Sequence, residues 1–116
     1  YGRQRFLTAP LMKWMFGKYV SDPAQRGNDL MSPVRASAER LRGLPATLIV
    51  VAENDILRDE GEAMGRRLDE AGVEVTTVRF NGVVHDWGML NGFAALHPTR
   101  TLIRLVGSVL RDYLEK

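Results

Sequence analysis

Thr47-Leu48-Ile49-Val50-Val51-Ala52 is the stretch on which the reading of the fold depends. It is a near-continuous run of β-branched and apolar residues bounded by turn signals, which reads as a strand buried on both faces. Beyond it, Leu57, Gly61, Met64, Leu68 and Ala71 recur at helical spacing, so they share one stripe of a helix. Asp59, Glu60 and Glu62 fall in its first turn, Arg66 and Arg67 come later, and Gly72 can close it. A second strand, Val73 to Phe80, follows directly. Strand, helix and strand make one βαβ unit, so the strands are expected to be parallel and the crossover right-handed. The fold class expected is therefore α/β. An amphipathic helix over Pro98 to Glu115, with Leu102, Ile103, Leu105, Val106, Val109, Leu110, Tyr113 and Leu114 at helical spacing, ends the chain.

Upstream, Gly43-Leu44-Pro45 is the clearest break, and it separates residues 1–45 from residues 46–116. The second part holds the βαβ unit and the terminal helix; together they are read as a single partial domain. In the first part Thr8 can cap a helix from Ala9 to Val20. Leu11, Met12, Trp14, Met15, Phe16 and Tyr19 make that helix apolar on more than one face, which predicts that something covers it. Residues 21–34 read as loop, and a short helix is expected over Ala36 to Leu41. Residues 1–45 carry eight basic and three acidic side chains, and residues 46–116 carry eight and eleven. The cluster Arg3, Arg5, Lys13 and Lys18 reads as solvated charge.

Composition excludes several function classes. Of 116 residues, 45% are hydrophobic and 26% charged, which is ordinary globular material. No cysteine is present, so no disulfide, thiolate metal site or cysteine nucleophile is available. The longest apolar stretch, Leu48 to Ala52, is far short of the roughly 20 residues needed to cross a bilayer. A net charge of +2 is too small to imply nucleic-acid binding. With no charged-then-apolar leader in these residues, a cytoplasmic setting is the default expectation.

In parallel α/β sheets, ligands bind beyond the carboxyl ends of the strands, so the loops after Ala52 and Phe80 are the places to look. The first holds Glu53-Asn54-Asp55 and the second Asn81-Gly82-Val83-Val84-His85-Asp86-Trp87. An Asp accepting from one imidazole nitrogen leaves the other free to take a proton from a nucleophile, and Asp55 and His85 could form that pair. On spacing alone the plainer alternative stays open: Asp55 caps the following helix and His85 fills a loop. A metal site from Asp55, His85, Asp86 and His97 has no recognised ligand spacing, and none is expected.

The wording around these residues resembles the carboxyl-terminal part of α/β-hydrolase esterases of the hormone-sensitive-lipase-like group. Ala52-Glu53-Asn54-Asp55-Ile56-Leu57-Arg58-Asp59-Glu60-Gly61-Glu62-Ala63 is similar to that family's A-E-x-D-P-L-R-D-E-G-E-A segment, which places Asp55 on the triad acid. Phe80-Asn81-Gly82-Val83-Val84-His85-Asp86-Trp87 is similar to its Y-x-G-x-x-H-[GD]-[FW] segment, which places His85 on the triad histidine. Leu7-Thr8 with the aromatic helix, and Ser32-Pro33, are similar to the stretch between the preceding strand and the acid-bearing one, so the likeness covers nearly the whole chain. Ile56 and Asn81 stand where proline is frequent, Met64 where tyrosine is frequent, and Asp86 takes the less common alternative to glycine.

The family's G-x-S-x-G elbow and H-G-G-type oxyanion loop occur nowhere in these 116 residues. Triads of this fold run Ser, then Asp or Glu, then His, so only the last two members are expected here. Ser21, Ser32, Ser37 and Ser108 read as ordinary capping or surface serines. The resemblance implies a serine carboxylic-ester hydrolase acting on a small-molecule ester, with no cofactor. It makes residues 1–45 a lid-like or connecting region. Trp14 and Met15 on the aromatic helix, with Trp87 and Met89 past the histidine, become candidates for the substrate pocket wall; the other reading is plain packing. The chain by itself is expected to be inactive. Two apolar parallel strands also leave edges unpaired, which predicts self-association or reliance on the amino-terminal part of the same hydrolase. The competing expectation is a non-catalytic interaction module that retains part of the hydrolase fold.

Overall fold

In chain order the elements are helices α1 (Ala9–Tyr19) and α2 (Ala38–Leu41), strand β1 (Thr47–Asn54), helix α3 (Arg58–Glu70), strand β2 (Val75–Val84) and helix α4 (His97–Leu114). Single 3₁₀ turns lie at Pro23–Gly27, Pro33–Arg35 and Asn91–Phe93. The structure is a computed structural model and describes residues 7–115. Arg3 and Arg5 of the basic cluster lie outside the described residues.

β1 and β2 pair in parallel, with Thr47 opposite Val75 and Ala52 opposite Phe80. Side chains alternate between faces of a strand, and here the alternation divides the core in two. On one face, a Cβ built on Gly61 of α3 would stand 2.7 Å from Val51 Cγ1, so α3 approaches β1 more closely than any side chain allows. Two glycines, Gly61 and Gly65, let the helix lie against Ile49, Val51 and Thr77. This face gathers Leu68, Ala71 and Val73 with Ala36 and Leu41 from the upstream segment. On the other face Val50, Ala52, Phe80, Val83 and Trp87 pack with Phe93 and with Leu102 of α4.

The end of α3 explains why β2 begins at Val75 rather than Val73. Gly72, at φ +80, donates to Asp69 O at 2.9 Å, and Val73 N–H donates to Leu68 O at 3.0 Å. This is a Schellman closure, and its two apolar ends, Leu68 and Val73, are both buried. Val73 is therefore committed to stopping the helix. β2 instead runs past Phe80 to Val84.

Three further expectations are corrected. The short helix expected from Ala36 starts at Ala38, because the Ser37 hydroxyl accepts from Arg40 N–H and caps it there. β1 is deeply buried only at Val51 and Ala52, since one of its edges has no strand partner among the described residues. No residue of α1 is buried, so the cover that its apolar faces predict is absent among the described residues. The molecule is a slab of 41 × 38 × 19 Å. Its radius of gyration of 15.7 Å exceeds the roughly 13 Å of a compact domain this long. Among the described residues no helix is long and apolar enough to cross a membrane.

Candidate active site

Parallel pairing sends the ends of β1 and β2 to the same side, and Asp55 and His85 are each the first residue after a strand. Asp55 Oδ2 lies 2.7 Å from His85 Nδ1. The Asp55 side chain is 10% exposed and the His85 side chain 25%, so the bond is shielded from water on most sides. An ionised carboxylate can only accept, which puts the proton of this bond on Nδ1 and leaves Nε2 with a free lone pair. A neutral imidazole held in that tautomer has the lone pair that general-base chemistry requires.

The helix-capping alternative for Asp55 is corrected: Leu57 stands at the N-cap of α3, and no side chain caps that helix. Asp55 Oδ1 accepts from Leu57 N–H at 2.9 Å, the side-chain-to-backbone turn that leads into α3. One carboxylate thus closes the turn before α3 with one oxygen and holds an imidazole with the other.

Asp86 follows His85 with φ +58, in the left-handed region where Asp is tolerated and Gly fits without strain. Its Oδ1 is 3.4 Å from His85 Nε2. Neither this contact nor the tie from Glu53 Oε2 to Gly82 N–H, at 2.7 Å, was singled out from sequence. The only sequence signal for either was that each lies inside one of the two motif-bearing turns.

Beside His85 opens an apolar groove of ≈ 720 Å³. Its walls include four consecutive residues of β1, Ile49 to Ala52, which point to alternate faces of the sheet. A groove that meets both faces runs along the strand's unpaired edge. Its far wall is α4, through Leu102, Ile103, Val106 and Leu110.

Two of the four candidate pocket residues line this groove. Trp87 is 6% exposed, stacks obliquely on Phe80 with ring centroids 5.4 Å apart, and has its indole N–H buried without an acceptor among the described residues. Met89 stands at the rim and is 87% exposed. Trp14 and Met15 are not among the groove's walls; both are exposed on α1, where Lys18 Nζ lies 5.8 Å from the Trp14 ring centroid. Among the described residues no three His, Asp or Glu side chains gather as a metal site.

The match to known proteins follows the same lines. The alpha/beta hydrolase fold family matches residues 1–89. This chain belongs to that family. As a member of it, the chain is 37% identical over 94 residues to an arylesterase of Saccharolobus solfataricus, covering 81% of this chain and 28% of the arylesterase. The crystal structure of a thermostable esterase from Pseudomonas putida superposes with a TM-score of 0.87 at 47% identity, over 89% of this chain and 32% of that one. Carboxyl esterase 2 from Tuber melanosporum gives a TM-score of 0.88 at 34% identity, over 92% and 35%. This α/β-hydrolase chain therefore spans about a third or less of the length of these relatives.

Proposed function

We propose that this chain supplies the acid and the histidine of a serine carboxylic-ester hydrolase, as its carboxyl-terminal portion. The observation that carries the reading is the 2.7 Å contact between Asp55 Oδ2 and His85 Nδ1 beside an apolar groove. In the assembled enzyme, His85 Nε2 takes the proton of a serine hydroxyl as that oxygen attacks the ester carbonyl. Asp55 stabilises the resulting imidazolium, and the same proton is then given to the leaving alcohol. A water molecule deprotonated by His85 hydrolyses the acyl-serine in the second half. Trp87 and Met89 would meet the apolar part of the ester, and residues 1–45 with Trp14 and Met15 would act as the lid-like region. We place this hydrolase in the cytoplasm.

The chain alone, with no G-x-S-x-G in its sequence, is proposed to be inactive. The open groove and the exposed Ile103, Leu110 and Leu114 of α4 support the further reading that it associates with itself or with the rest of the hydrolase. A well-folded species that stays strictly monomeric at high concentration in sedimentation would remove that part.

The test of function is a chimera in which this chain replaces the matching third of the Pseudomonas putida esterase. Hydrolysis of a short-chain p-nitrophenyl ester by the chimera, abolished by His85→Ala, is the expected result. A folded chimera without turnover, or one indifferent to His85→Ala, would favour the interaction module. Turnover by the isolated chain that vanishes in His85→Ala would overturn its proposed inactivity.

A further inference from the structure

We propose that Glu53 is a positioning residue for the Asp55–His85 pair, an inference that rests on the catalytic reading of that pair. β1 and β2 pair in step up to Ala52 and Phe80, and the next partners are Asn54 and Val84. In that interval β1 advances by two residues while β2 advances by four. The surplus on β2 is an excursion through Asn81, Gly82 and Val83, and Gly82 sits at φ +75, where a side chain would be strained. His85 lies immediately after this excursion, so its place depends on how far the excursion reaches.

Glu53 is the β1 residue that faces the irregularity, and its Oε2 accepts from Gly82 N–H at 2.7 Å. The bond crosses the interval in which the regular pairing lapses, and it is charge-assisted. Glu53 is held from the other side as well, because its backbone carbonyl accepts from Arg58 Nη1 at 2.9 Å, in the first turn of α3. Glu53 therefore links three things: the helix that follows Asp55, the strand that precedes Asp55, and the excursion that precedes His85. Its hydrogen bonds go to Gly82 and Arg58, not to either member of the pair. It sets the distance between them.

The experiment reads the His85 Nδ1 proton by NMR in the full 116-residue chain, with the backbone amides of Val51 and Leu68 as reporters of the fold. Glu53→Ala is expected to leave those amides in place and to speed solvent exchange of the imidazole proton by about tenfold or more, the order that a hydrogen bond to a charged group represents. Glu53→Gln keeps an acceptor oxygen at the same reach and is expected to restore slow exchange. Unchanged exchange in a folded Glu53→Ala chain, or failure of Glu53→Gln to restore it, would overturn the proposal. If Glu53→Ala fails to fold, Glu53→Asp takes its place: its carboxylate is one methylene short of Gly82, and fast exchange is again expected, with slow exchange refuting the idea. The functional reading is judged separately. A folded, inactive chimera would remove the catalytic role of the pair without altering the exchange result.

Discussion

Replacing Asp55 separates the two duties of its carboxylate. Asp55→Ala deletes the bond from Leu57 N–H, worth about 1 kcal/mol as a turn-closing hydrogen bond, and the bond to His85 Nδ1, worth about 1.5–3 kcal/mol as a charge-assisted one. Both oxygens are engaged and the side chain is only 10% exposed, so water replaces little of the loss. The expected cost is about 2.5–4 kcal/mol, which at a urea dependence of about 1–3 kcal/mol per molar lowers the unfolding midpoint by roughly 1 M or more. Asp55→Asn keeps an oxygen for Leu57 but presents an amide N–H₂ to Nδ1. The imidazole must then carry its proton on Nε2, and only about 1–2 kcal/mol is lost. Urea unfolding of the two variants, with ¹⁵N chemical shifts of the His85 ring to read the tautomer, checks both halves. Equal losses for Ala and Asn, a cost below about 0.5 kcal/mol for Ala, or an unchanged tautomer in Asn would refute the reasoning.

Three further outcomes follow from the packing and charges. Leu68→Ala empties a fully buried site that also closes α3, and should cost about 2–5 kcal/mol in the same unfolding assay, whereas Leu110→Ala, on an exposed face, should stay within about 0.5 kcal/mol. Asp86→Gly loses a half-exposed carboxylate contact to His85 Nε2 that is an ion pair only when the imidazole is protonated, worth about 0–1 kcal/mol, and relieves a left-handed backbone of about 1–2 kcal/mol; its melting point should therefore equal or exceed the parent's, with Asp86→Ala lower than Asp86→Gly. The hydrogen bond from the Tyr113 hydroxyl to Glu74, followed by desolvation and the charges of Glu74 and Asp112, pushes the Tyr113 phenol above its usual 10.0. The folded form holds this proton more tightly, so the stabilisation is complete below pH 10 and is lost as pH rises through the raised value; Tyr113→Phe should remove that pH dependence from urea midpoints measured across about pH 9–12.

Much of the fold was legible because it rests on local patterns. The β-branched run at residues 47–52 and the Gly61-to-Ala71 stripe each carry their own period, and parallel pairing follows once a helix separates two strands. That Asp55 and His85 reach adjacent turns is a consequence of that pairing. What was not legible depends on the third dimension. Val73 reads as strand from composition, yet its N–H is taken by Leu68 O to end α3. The mismatch between Ala52–Asn54 and Phe80–Val84 leaves no mark in hydropathy, since Asn81, Gly82 and Val83 look like an ordinary turn. Glu53 was visible as a motif residue, but its partner is a backbone N–H 29 positions away, which no side-chain pattern encodes. The aromatic face of α1 predicts a cover, and sequence periodicity records only that a face is apolar, not what lies over it.

The division of labour on Asp55 couples two events that are separate in most sites. When the first turn of α3 frays, Leu57 N–H swings away and the carboxylate loses the contact that fixes its rotation. The imidazole then loses its anchor in the same fluctuation, well before either strand parts. Heat would therefore loosen this corner of the molecule at temperatures where circular dichroism still reports an intact helix and sheet, and any substitution that steadies residues 57–61 would prolong the Asp55–His85 contact without touching it.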